Sequence, residues 1–189
     1  KRVLLGTISF DLFAILLGAA IALLPVFARD VLGTDSRGLG LLRSAPAIGA
    51  LTTSIYLANF PMRGHIGRIL FGSVIVFGVA TALFGLSSSL PLSMAALACV
   101  GAADVASVVI RSSLVQMNTP DDVRGRVSAA NAMFIGTSNQ LGDFRAGFVA
   151  EAIGAVPAVV IGGVTTVAIA VLWMGMFPEL RRMQRLDQH

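Results

Sequence analysis

Apolar positions in this sequence come in long unbroken blocks, with no two-residue alternation of the kind an exposed strand shows. The first block covers 3–28, is interrupted only by Asp11, and is closed by Arg29-Asp30. The second covers 38–60 and carries Arg43 near its start; Ser44 to Met62 holds no charge. No charged residue occurs in the 35 positions 69–103, too long a stretch for one span. Ser87-Ser88-Ser89-Leu90-Pro91 is a turn signal that divides it. The third and fourth blocks are then 69–86 and 91–117, and the fifth and sixth are 127–150 and 152–177. Crossing a bilayer takes about 20 apolar residues as a helix. Continuous blocks of this length fit helices, whereas barrel strands are shorter and alternate. The pattern predicts an all-α membrane protein with six transmembrane helices.

Composition agrees. Of 189 residues 56% are hydrophobic and 13% are charged, and mean hydropathy is +0.84. Soluble domains carry about 25% charge, so a soluble enzyme and a disordered chain are both disfavoured. The net charge of +4 is explained by loop arginines rather than by a nucleic-acid surface. With both termini inside, the inner side collects Lys1, Arg2, Arg63, Arg68, Arg124, Arg126, Arg181, Arg182 and Arg185, against Arg29 and Arg37 outside. That bias satisfies the positive-inside rule and places the chain in a cell (inner) membrane with cytoplasmic termini. Its immediate partner is then the lipid bilayer, with no nucleic acid. Cys99 is the sole cysteine, so no internal disulfide forms. The first block is longer than a signal-peptide core and lacks a small-residue cleavage site. The chain begins with Lys1 rather than Met, and is expected to be a piece of a longer protein.

The six spans divide into three plus three. Thr34-Asp35-Ser36-Arg37-Gly38 precedes span two, and Thr119-Pro120-Asp121-Asp122-Val123-Arg124-Gly125 precedes span five. Both read as Thr, acid, Arg-Gly and then a helix, one outside and one inside, as two inverted three-helix repeats require. Locally, Thr119 suits an N-cap, Pro120 a first helical position, and Asp121 and Asp122 the positive end of a helix.

Four stretches together resemble the C-terminal half of a major facilitator superfamily transporter, within the enterobactin-exporter-like branch, the transmembrane secretion effectors. Phe10-Asp11-Leu12-Phe13 with Leu23-Leu24-Pro25-Val26-Phe27-Ala28 is similar to that branch's seventh helix. Residues Gly40 to Ala50, with Arg43-Ser44-Ala45-Pro46, resemble its eighth. The Pro120, Asp122, Arg124, Gly125 and Arg126 loop resembles the connection between its tenth and eleventh helices. Met133-Phe134-Ile135-Gly136 with Ser138 to Phe144 resembles the eleventh. The resemblance implies a secondary transporter whose N-terminal six-helix half is the partner, and a substrate such as a siderophore or drug. There are departures. The loop ending in Gly67-Arg68 has no acid nearby, and Gln140 and Arg145 stand where the branch tends to carry acids. Such transporters have twelve spans; six are present.

Charges inside spans cost at least ~2.5–3.5 kcal/mol each and need a reason. Asp104 lies about 20 Å from the outer end of span four, and Asp11 about 12 Å from the inner end of span one. Both are proton-coupling candidates, since a carboxylate held in a span suits reversible protonation. The alternative is a carboxylate held for packing. Arg111, two turns from Asp104 on the same face, is either its gate or charge partner or an arginine that snorkels to the inner interface. In span five, Asn139 and Asp143 share one face and Asn131, Ser138 and Arg145 another; with Gln140 they are expected to line the cavity or the junction between halves. Nine glycines, among them Gly49, Gly72, Gly78, Gly101, Gly136 and Gly163, are expected at close helix approaches.

Enzyme readings are disfavoured. His65 and His189 lie outside the spans, no Gly-x-Gly-Asp precedes Asp104, and no phosphate loop or metal-ligand pattern is present. No cofactor is expected. The working expectation is proton-coupled export of a small hydrophobic or amphipathic molecule, with a small homodimeric six-span transporter and a non-transporting membrane scaffold as the competing readings.

Overall fold

The computed structural model describes residues 21–60, 64, 66–117 and 119–176, and among these there are helices and no strands. The first helical segment, α1, is made of a 3₁₀ turn Ile21–Leu23, an α turn Leu24–Val26 and a π turn Phe27–Val31. Then follow α2 (Ser36–Asn59), α3 (Ile66–Leu86), α4 (Leu90–Met117), α5 (Arg124–Ile153) and α6 (Ala155–Met176). The greater part of the first expected span, with Asp11, lies outside the described residues, as do Arg181, Arg182 and Arg185.

Helix ends follow local chemistry more closely than charge. Arg29-Asp30 does not stop α1. The Leu32 N–H reaches the Phe27 carbonyl at 3.0 Å, and the chain turns away at Gly33, where φ is +57°. Asp35 caps α2, its carboxylate accepting from the Arg37 and Gly38 N–H groups at 3.1 Å. The serine turn divides α3 from α4 as expected. Ser87 Oγ accepts from the Ser89 N–H and the Ser93 hydroxyl, which ties the first turn of α4 to the loop. The break between the last two helices is shifted. It was expected at Glu151, the only charge nearby, yet α5 runs on to Ile153 and Gly154 makes the break with φ +93°. A glycine in this conformation ends a helix at little cost, and the proline three positions on is the accompanying signal.

Of the six expected spans, α3, α4 and α6 are each long and apolar enough to cross a membrane. With 24 and 30 residues, α2 and α5 are as long but more polar. The packing order is α2–α4–α3–α6–α5, and α1 touches both α2 and α5. At the end where α2 and α4 begin, a core cluster draws on all six helices; Phe27 and Phe84 meet there with ring centroids 4.6 Å apart. Among the described residues the core at the other end draws on α3, α4 and α6, around Leu70, Phe71, Ile110 and Ile169. Thus α2 and α5 are anchored at one end and stand largely exposed along the rest.

Two crossings without intervening side chains hold this order. On α2 and α4, a Cβ at Gly49 would run into the Ala98 carbonyl, and one at Gly101 into the Pro46 carbonyl. On α3 and α6, a Cβ at Gly78 would lie 2.8 Å from the Gly163 carbonyl, and one at Gly163 2.6 Å from the Gly78 carbonyl. Without a hydrophobic driving force inside lipid, such close backbone approach is a main source of helix association. The expectation holds at these four glycines and fails at Gly72 and Gly136, which look onto open space. Gly101→Ala is therefore expected to cost about 1–3 kcal/mol through overpacking. Gly72→Ala should be neutral or slightly stabilising, by up to about 1 kcal/mol of helix propensity. Thermal unfolding in detergent of the two variants checks the difference; equal melting temperatures would contradict the crossing.

Candidate functional site: a polar level inside the helix bundle

Asp104 sits midway along α4, about 20 Å from either end at 1.5 Å per residue. Small residues surround it in sequence: Gly101 and Ala103 are buried, while Asp104 itself is exposed. Below it, one turn on, is Val108, 40% exposed. Ser107 donates its hydroxyl to the Asp104 backbone carbonyl at 2.9 Å, keeping it off the carboxylate. Arg111 is two turns below and close enough for its charge to act on Asp104.

Arg111 is 7% exposed and engaged in an interaction within the fold. Helix side chains lean toward the N-terminus, which inclines a long side chain at Arg111 toward Asp104.

The polar span five is split by the fold. At 100° per residue, Asn131, Ser138 and Arg145 fall on the side of α5 that packs, with Gly142 and Ala146. Ser138 is buried, Asn131 and Arg145 are half-buried, and Arg145 is engaged in an interaction of its own. The Ser138 hydroxyl is satisfied by the Phe134 carbonyl at 2.7 Å. Asn139, Gln140 and Asp143 lie on a second side and are exposed. A third side presents Phe134, Leu141, Phe144 and Phe148, 54–74% exposed. An exposed aromatic and aliphatic stripe suits lipid; an exposed Asn-Gln-Asp stripe does not. Counted from the end where α4 begins and α5 finishes, Asp104 and Asn139 are both about 21 Å deep, Gln140 about 20 Å and Asp143 about 15 Å. Leu97 and Ala146, each about 10 Å along, belong to one core cluster and fix that register.

The loop motifs are at the opposite end. Gly67 is buried in the first turn of α3 and Arg68 is exposed. Arg124 pairs with Asp121, both well exposed, while Asp122, Gly125 and Arg126 are exposed. Thr119 does not cap α5. It is buried, and its hydroxyl donates to the Val115 carbonyl at 2.6 Å, closing α4 instead. A turn over 120–123 follows, and α5 starts at Arg124. Sequence reasoning overlooked Val108 and the role of Pro46; the signal for both was spacing, Val108 one turn from Asp104 and Pro46 one turn from Gly49. Among the described residues no group of His, Cys, Asp or Glu could hold a metal ion.

An all-helical chain with apolar helices of membrane-spanning length and charged or amide side chains level inside them is a membrane protein of the transporter kind. The family model for transmembrane secretion effectors matches residues 1–189, and the chain belongs to that family, a group of major-facilitator-type transporters. Comparison with individual curated proteins gives no match.

The loop geometry has a simple consequence. Thr119→Val is expected to lower stability by about 1 kcal/mol through loss of a buried hydrogen bond, and Arg124→Gln by less than about 0.5 kcal/mol, since the ion pair is exposed. Thermal melts of the two variants check this. A larger loss from Arg124→Gln than from Thr119→Val would contradict the assignment.

Proposed function

We propose that this chain forms a six-helix half of a proton-coupled exporter of a small hydrophobic or amphipathic molecule, such as a siderophore or drug. The observation that carries the reading is Asp104: an exposed carboxylate at the middle of an apolar helix, with Arg111 buried two turns away. A charge there is costly against lipid and has a reason if that side of α4 lines a wet pathway. Asp104 is the proton carrier. Asp11, at a similar depth by sequence, is a second site. An opposite charge favours an ionised carboxylate, so motion that brings Arg111 up to Asp104 drives the proton off and motion that separates them lets it return. Asn139, Gln140 and Asp143 line the cavity and the junction with a second half.

Two of the helix contacts fit six spans arranged as two inverted repeats. A half-turn axis in the membrane plane exchanges α1, α2 and α3 with α4, α5 and α6. It turns the α2–α4 contact into α5–α1 and leaves α3–α6 on the axis, and these contacts occur. The reciprocal Gly78–Gly163 approach is what an on-axis contact looks like. The register differs from the one suggested by the Arg-Gly motifs. The buried set Gly38, Leu42, Ala45 and Gly49 has the spacing of Asn131, Ile135, Ser138 and Gly142, whereas Gly125 is exposed. With both termini cytoplasmic, the polar side of α5 faces an N-terminal six-helix half.

Uptake of substrate into inverted vesicles containing the full-length protein, driven by an imposed proton gradient, tests the mechanism. Asp104→Asn keeps size and hydrogen bonding but removes titration. We expect it to abolish accumulation against the gradient, a loss of at least tenfold, with downhill exchange retained. Accumulation at the wild-type rate would make Asp104 a packing residue and end this reading.

A further inference from the structure

Along α2 the side that packs changes character at one point. Gly38, Leu42, Ala45 and Gly49 are buried on it, and Leu42 and Ala45 belong to the core cluster shared with Phe27, Phe84 and Leu97. At 100° per residue the same side continues through Thr52, Tyr56 and Asn59. These three are exposed, Tyr56 by 62%, and no residue from Ala50 to Asn59 is buried. Helix α4 changes in the same way. Its side toward α2 runs on from the buried Gly101 to Val105 and Ser112, which are half-buried, and Val108, which is exposed. The two helices start from the same end of the bundle. Tyr56 and Val108 each lie about 10 Å beyond the crossing at Gly49 and Gly101, and Asn59 and Ser112 about 15 and 16 Å beyond it. Residues that face each other in register past the crossing are thus left uncovered.

The change falls at a proline. Pro46 stands inside α2, where it removes the N–H that position 46 would give to the Leu42 carbonyl and crowds that carbonyl with its ring. Around it, polar side chains turn back onto the helix. Ser44 donates to the Leu41 carbonyl at 2.8 Å, Thr52 to those of Ile48 and Gly49 at 3.0 and 2.9 Å, Ser54 to that of Ala50 at 2.8 Å, and Asn59 to that of Ile55 at 2.8 Å. Prolines and side chains that compete for the helical carbonyls are the usual causes of helix bending. The same stretch is the one fastened to α4. A Cβ at Gly101 would lie 2.7 Å from the Pro46 Cα, and one at Gly49 3.0 Å from the Ala98 Cα. The weakest point of the α2 ladder is therefore also the point at which α2 is pinned. No proline interrupts α5, the other helix at the margin.

The geometry points to a hinge at Pro46 with its contact on Gly101 as the fulcrum. The half of α2 beyond Gly49 swings toward and away from Val105, Val108 and Ser112 of α4, while the half before it stays fixed in the core. Closing covers Val108 and brings Asn59 level with the Ser112 hydroxyl; opening returns Thr52, Tyr56 and Asn59 to water. The bundle is then not one rigid body, because the second half of α2 moves against the rest. The inference does not depend on the proton role given to Asp104.

Distances between paired spin labels, measured by double electron–electron resonance on the full-length protein in nanodiscs and in a Cys99→Ala background, test it. One pair, at 58 and 72, joins the second half of α2 to α3; the other, at 41 and 83, joins the first half of α2 to α3, and all four positions are exposed. We expect the 58–72 pair to give two peaks or a distribution at least twice as wide as that of the 41–83 pair. Pro46→Ala, which restores the missing N–H, is expected to reduce the 58–72 pair to a single narrow peak and to leave the 41–83 pair unchanged, with circular dichroism as the check on folding. Equal widths for the two pairs in the protein with Pro46 in place overturn the inference, and that comparison needs no variant at the hinge. A wide 58–72 distribution that folded Pro46→Ala leaves unchanged overturns it as well, since the motion then arises elsewhere than at the proline.

Discussion

The fold depends on two places where helix backbones touch. At Gly49–Ala98 with Pro46–Gly101, and at Gly78–Gly163, any side-chain atom would fill the gap through which the helices meet. The first crossing fastens α2 to α4; the second fastens α3 to α6. With α3 also lying along α4, the three most apolar helices become one slab, and the two more polar helices, α2 and α5, are left at its margins. In lipid, where apolar burial does little to join helices, close packing of this sort has to carry the association.

The chemistry follows from that arrangement. Because α4 is held by α2 at its first half and by α3 along its length, its middle reaches a position where Asp104 is exposed while Arg111 below is enclosed. Because α5 is anchored by a narrow stripe of Ser138, Gly142 and Ala146, its other two sides remain uncovered, one aromatic and one of amides and acid. Exposure is therefore not uniform. It sorts by residue type into surface fit for lipid and surface that lipid would penalise, and the second kind lies level with Asp104.

Much of this was legible in the sequence. The helices α2 to α6 begin and end within a few residues of the expected blocks, since an uncharged run of membrane length has few alternatives. The serine turn was readable because it depends on neighbours in sequence. What was not legible depends on three dimensions. Nothing in the sequence distinguishes Gly101, which meets a carbonyl, from Gly136, which meets nothing. Thr119 looks like the start of one helix and acts as the end of another, because its hydroxyl donates to the Val115 carbonyl. Glu151 drew the last boundary toward itself because charge is conspicuous, while Gly154, with its positive φ, made the break. For Arg111 the sequence left a charge partner and an interface anchor both open, and only the packing shows that it is buried. The candidate site itself was found residue by residue; that Asp104, Asn139 and Asp143 share a level came only from the packing of the helices.

The central claim is that α5 turns one exposed side to lipid and the other away from it. Spin labels placed singly along 134–148 of the full-length protein in bilayers, in a Cys99→Ala background, report this through their collision rate with molecular oxygen, which concentrates in lipid. The account predicts maxima at 134, 141, 144 and 148 and minima at 139, 140 and 143. Maxima at 139 and 143, or collision rates without helical periodicity, would contradict it.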